Sequence, residues 1–202
     1  MNWQSLWQSL NLVPPTNLLA ELQTAYTQAQ RFYHSQQHLQ ECLRLLNEVE
    51  HLAKQPAELA LALYFHDAVY NPQANDNEAQ SAAWAVQVLT QCHAPQTLIQ
   101  RIEQLIIATQ HHTIAKDDFD GQLLLDIDLA ILGQESTRFN QYEQQIRQEY
   151  AWVSEQDYRI GRSKVLQSFL QRKVIYQTDY FRKRFEQQAR MNIQAALECL
   201  AN

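Results

Sequence analysis

The chain has 202 residues, with 16 Lys+Arg against 22 Asp+Glu for a formal net charge of −6, and only 3 Gly and 5 Pro. Average usage would supply about 14 glycines, and Gly121, Gly133 and Gly161 stand too far apart for the clustered loops of Walker or dinucleotide-binding sites. So few turn formers also exclude an all-β sandwich and leave an all-α protein as the expectation.

The acidic balance offers no footprint for a nucleic acid polymer or an anionic membrane. Cys42, Cys92 and Cys199 are odd in number and unclustered, which suits a reducing compartment. The opening MNWQSLWQSLNLVPP has neither a basic n-region nor an apolar h-region, and no apolar run reaches the 18 or so residues of a membrane span. A cytoplasmic protein without membrane association is therefore expected.

In chain order, Trp3, Leu6, Trp7 and Leu10 form one apolar helix face, which Pro14-Pro15 breaks. A second helix is expected from near Thr16, carrying Leu18, Leu19, Leu22 and Tyr26 inward. Residues 31–38, RFYHSQQH, show no strong period and lead into an amphipathic run with Leu39, Cys42, Leu43 and Leu46, which puts His38 near a helix start. After Pro56, at home in a first helical turn, AELALALYF is apolar from Leu59 to Phe65, the pattern of a helix buried on all sides. His66-Asp67 closes it, and a loop from Asn71-Pro72 to Asn77 follows. Helices are expected over about 77–92, 95–110, 123–132 and 135–151, with two long ones from 155 to 200. His111-His112 follow the 95–110 helix, and Lys116 to Gly121 is expected as a loop. The abundant Gln marks solvated helix surface.

Chemistry concentrates on histidine and aspartate. Desolvating a carboxylate without a partner costs several kcal/mol or more, so Asp67, at the end of a buried helix, needs compensation. A hydrogen bond from a histidine, or a role capping a neighbouring helix, would serve. A divalent first-row ion would also serve, since imidazole and carboxylate together suit such ions. Neighbouring helix residues point about 100° apart, so His66 and Asp67 could flank an ion but not complete its shell. His38, 28 residues earlier, and Asp126 or Asp128 in LLLDIDLAIL are the further candidates.

The order His38, His66-Asp67, then an Asp within Asp126-Ile127-Asp128, together with RFYHSQQHLQECL, YFHDAVYNP, DNEAQSA, DIDLAILG and the tail segments GRSKVLQSFLQR and EQQARMNI, resembles the HD superfamily of metal-dependent phosphohydrolases. Within it, the chain is similar to a bacterial subgroup of about 200 residues known only as predicted phosphohydrolases. The resemblance runs along most of the chain. It implies a single all-helical HD-type domain over 1–202, with a metal-binding core at about 30–135 and flanking helices at 1–29 and 136–202. It also implies one or two divalent ions (Mn, Fe, Co, Ni, Zn or Mg) on His38, His66, Asp67 and Asp128, the last preferred over Asp126 as the better match to the family's pattern.

YHSQQH further resembles an element of cyclic-nucleotide phosphodiesterases, Tyr-His-Asn-x-x-His, with Ser35 replacing the Asn. That likeness makes His34 a candidate general acid, a role its ordinary titration range suits. Glu78 is a candidate base toward water or a first-turn helix residue behind an Asp76 or Asn77 cap. His111 and His112 are candidates for a second metal or for substrate phosphate. Arg31, Lys116 and Arg162, with Lys164, Arg172 and Arg190 behind them, are candidate anion clamps. The expected activity is hydrolysis of a phosphate ester of a nucleotide or small metabolite. The alternatives are a non-catalytic helical module binding a nucleotide or partner, and an oxygenase or hydratase on the same ligand set. A homodimer through the amphipathic tail helices is compatible with the pattern.

Overall fold

The computed structural model describes residues 2–201 and is all-helical, with no strand among them. Among the described residues, no helix is long and apolar enough to cross a membrane. The chain divides into two compact units, the first ending at Leu125 and the second beginning at Asp126.

The first unit holds α1 (Trp3–Ser9), α2 (Leu18–Ala25), α3 (Gln36–Val49), a 3₁₀ turn at Glu50–Leu52, α4 (Pro56–Phe65), α5 (Asn77–Gln91), α6 (Gln96–Thr109) and most of α7 (Phe119–Asp128). Asn2 and Ser5 close α1 with a reciprocal capping box. The buried stripe of α3 is His38, Leu39, Cys42, Leu45, Leu46 and Val49, a regular 3.6-residue pattern, while the expected Leu43 stands half-buried beside it. α4 is the centre of this unit: α1, α3, α5 and α6 all pack on it. From Leu59 to Phe65 every residue but the half-buried Tyr64 is buried, as an all-apolar helix requires. Pro56 opens α4, and the Asp120 carboxylate accepts from the amides of Lys54 at 2.9 Å and Gln55 at 2.8 Å just before it.

Left-handed backbone positions fall on Asn11, His93 and His112, and on no glycine. His93 follows α5, and Ala94 N–H returns to the Leu89 carbonyl across it, the closure that usually uses glycine. The stretch 116–121 is not wholly a loop. α7 begins at Phe119 because the Asp118 carboxylate accepts from Gly121 N–H and supplies a cap the polar composition concealed.

The second unit continues from the end of α7 through a 3₁₀ segment at Leu129–Gly133 into α8 (Ser136–Glu149), α9 (Glu155–Leu170) and α10 (Asp179–Ala201). The expected helix 123–132 thus tightens into 3₁₀ geometry over its second half. Its carbonyls are held from the side: Tyr176 O–H donates to Leu129 O at 3.1 Å, and Asn192 Nδ2 donates to Leu132 O at 2.9 Å and Gln134 O at 2.8 Å. Gly133 lets α10 approach closely, since a Cβ there would meet Phe185 Cβ at 2.5 Å and Phe185 O at 2.7 Å.

Candidate metal centre

α3 carries His38 in its first turn on the buried stripe, and α4 delivers His66 and Asp67 where it ends. His38 and His66 are 2% and 1% exposed. His38 Nε2 lies 3.1 Å from His66 Nε2, and Asp67 Oδ2 lies 3.1 Å from His66 Nε2 and 3.5 Å from His38 Nε2. These three atoms leave a point about 2.1 Å from each, the ordinary first-row metal distance to nitrogen and oxygen.

The donor chemistry agrees. His66 Nδ1 is 2.8 Å from the Leu63 carbonyl, which can only accept, so Nδ1 carries the proton and a neutral ring presents the Nε2 lone pair. Asp67 Oδ2 is buried and makes no well-aligned hydrogen bond. The His66 Nε2 lone pair and the Asp67 carboxylate thus converge beside His38 Nε2, an arrangement that a cation relieves. Burial works to raise the Asp67 carboxyl, but His66, His34 and His38, positive when their imidazoles are protonated, outweigh it and hold the group well below the usual carboxylate range. The residues present fit a divalent ion.

The end of α4 is fixed by groups whose spacing in sequence gives no hint of the job. Tyr26 O–H accepts from Asp67 N–H at 3.3 Å and lies 3.5 Å from the Leu63 carbonyl. Burial, then the Asp67 charge, push the Tyr26 hydroxyl well above its ordinary value, so it keeps its proton. Ser81 Oγ accepts from Val69 N–H at 3.0 Å, and its hydroxyl faces the Val69 carbonyl at 3.3 Å. Arg31 is 7% exposed and donates from Nη1 to the carbonyls of His34 and Asp67, and from Nη2 to that of Ala68. In sequence Tyr26 is visible only as a core aromatic, and Arg31 as a candidate anion clamp rather than a backbone tie. Cys42, four residues after His38, could have been found by that spacing. Its Sγ is 3.7 and 3.8 Å from the two His38 ring nitrogens.

His34 belongs to the same neighbourhood: its ring stacks on Tyr70 at 4.2 Å and lies edge-on to His38 at 6.2 Å. Glu78 sits half-buried in the first turn of α5. Asp76 takes the N-cap position without a side-chain cap bond, and Asn77 turns back to clasp the Asn71 backbone. His111 is exposed and His112 half-buried beyond the end of α6, and neither joins the cluster. Lys116 is exposed before α7.

Several candidates lie in the second unit. Asp126 is taken up by the fold: Oδ1 accepts from Gln177 N–H, and Oδ2 from Thr178 N–H and Oγ1–H, each at 2.7 Å. Burial pushes its carboxyl up to about 6 against those three bonds, which favour the ionised form. Asp128 is half-buried at the end of α7. The Arg162 guanidinium is buried and held by Glu143 and the Tyr142 hydroxyl, and Arg190 closes the α9–α10 turn through Glu186 and the carbonyls of Leu170 and Arg172. Arg172 lies over the Phe169 ring, and Lys164 is exposed.

Compared with known proteins, the chain matches no family model, no curated protein and no solved structure. Fold and centre together define an all-helical protein with a buried His-His-Asp cluster able to hold a metal ion.

Proposed function

We propose that the protein is a metal-dependent phosphohydrolase of the HD type, acting on a phosphate ester of a nucleotide or small metabolite. The observation that carries this reading is the convergence of His38 Nε2, His66 Nε2 and Asp67 Oδ2 within 3.5 Å of one another. These three residues would hold the ion. A bound divalent ion supplies Lewis acidity, polarising a phosphoryl oxygen and acidifying water enough to attack near neutral pH.

The side chains divide the remaining work. The Leu63 carbonyl fixes the His66 tautomer, and the buried flank of α3 keeps bulk water from His38. His34, held against Tyr70, is assigned the proton delivered to the leaving oxygen, and Glu78 is assigned the orientation of the attacking water. Phosphate recognition through side chains at helix ends accords with the absence of any glycine cluster. The proposed substrate is small, and neither nucleic acid polymers nor membranes are proposed as partners.

Purified protein loaded with Mn, Co or Ni, incubated with a panel of nucleotides and phosphoesters, tests the reading. Phosphate release is expected with at least one of them, falling to background in Asp67→Ala. Retention of none of these metals, or metal loading with no release across the panel, would overturn it.

A further inference from the structure

Arg31 addresses peptide oxygens where a carboxylate lies close by. Its Nη1 donates to His34 O at 2.9 Å and to Asp67 O at 2.6 Å, its Nη2 to Ala68 O at 2.9 Å, and its Nε to Gln28 Oε1 at 3.2 Å. The guanidinium lies 5.2 Å from the Tyr26 ring centroid and 5.4 Å from that of Tyr70, and Tyr70 also stacks on His34. We infer that Arg31 is a positioning residue of the metal centre, one that locks the segment entering α3 to the segment leaving α4 so that Asp67 Oδ2 stays turned toward His38 and His66. The inference rests on the metal-centre reading above and gives Arg31 a different task from the anion clamp expected from sequence.

Three physical points support it. Asp67 and Ala68 lie just past the end of α4, where the backbone has left the helical ladder, and their carbonyls stand in largely buried surroundings, where leaving them unpaired is costly. A planar fork satisfies several carbonyls on two segments at once, which an ammonium on a flexible stem does poorly. Positive charge at a helix C-terminus is also favourable.

The choice of acceptor matters most. A guanidinium paired with the Asp67 carboxylate would occupy Oδ2 and compete with a cation. Bonding to the Asp67 carbonyl instead fixes the residue and leaves Oδ2 without a hydrogen bond. Metal ligands tolerate displacements of only about 0.5 Å, so loosening either segment degrades the centre without removing a ligand.

The test is a Co²⁺ titration of wild type, Arg31→Gln and Arg31→Lys, followed by visible absorption, with inorganic phosphate binding measured on the Co²⁺-loaded proteins and far-UV circular dichroism as the folding check. Both variants are expected to lose Co²⁺ affinity by about 10–100-fold with an altered spectrum. The lysine variant should fall with the glutamine one, because it keeps the charge and loses the fork. Wild-type Co²⁺ affinity and spectrum in both variants, with phosphate binding lost, would make Arg31 an anion clamp and overturn the inference. Should Arg31→Gln not fold, Arg31→Lys carries the decision alone, and wild-type affinity in it overturns the inference. A wild type that binds no Co²⁺ overturns the metal-centre reading, and this inference with it. A wild type that binds, with both variants unchanged, overturns this inference alone.

Discussion

Asp67 is kept ionised where burial favours its neutral form. What it draws is positive charge, from protonated imidazoles or from a cation that takes their place. Replacing it with an amide changes the demand: in Asp67→Asn the new N–H can donate to His66 Nε2. The metal-free variant should therefore melt at or above the wild-type temperature, while the rise in melting temperature that Mn²⁺ or Co²⁺ gives the wild type disappears. A variant that still gains stability from either ion would contradict the assignment. The glycines make opposite predictions at the same scale. At Gly161, on an exposed turn of α9, an added Cβ meets nothing within 4 Å, so Gly161→Ala should stabilise by about 0.5–1 kcal/mol. Gly133→Ala, forcing a Cβ against Phe185, should destabilise by about 1–3 kcal/mol. Denaturant melts of the two variants check both signs.

Helices were the legible level. The apolar periods of α3, α5 and α6 and the unbroken apolar run of α4 are local properties of the sequence, and the structure follows them. Its departures occur where a side chain from elsewhere satisfies the backbone. Asp126 illustrates this: its residue type suggested a metal ligand, yet its oxygens hold Gln177 and Thr178, more than 50 residues away in sequence, and no periodicity encodes that pairing. Asp126→Ala would leave those amides without their acceptor and should cost at least about 2 kcal/mol in an equilibrium unfolding measurement. The tie between α6 and α7 gives a pH prediction. Arg101 pairs bidentately with Asp118 and holds its carboxyl below the ordinary value of 3.8. Because the folded value is depressed, the stabilisation is present above 3.8 and is lost as pH falls through the folded value. Asp118→Asn should therefore flatten the fall in melting temperature between about pH 5 and about pH 2; an unchanged acid limb would contradict the coupling.

At the scale of the whole molecule, the scarcity of glycine and the net charge of −6 acquire a common meaning under the proposed function. A chain without backbone phosphate cradles must recognise an anion through side chains and a cation, and an internal cation removes the need for a basic surface. The three candidate ligands within the first unit were legible because an aspartate ending a buried helix demands a partner, and histidine types narrow what that partner is. The positioning groups Tyr26, Arg31 and Ser81 were not, because their bonds run to backbone atoms and any polar residue type could have made them. The proposed function stands on His38, His66 and Asp67 holding a divalent ion. Its most direct test is equilibrium binding of Co²⁺ to the metal-free full chain, read by visible absorption and by elemental analysis after dialysis. Saturable binding of at least one ion per chain, abolished in both His66→Gln and Asp67→Asn while their circular dichroism stays that of the wild type, is the predicted result. No saturable binding, or binding that survives both substitutions, would contradict it.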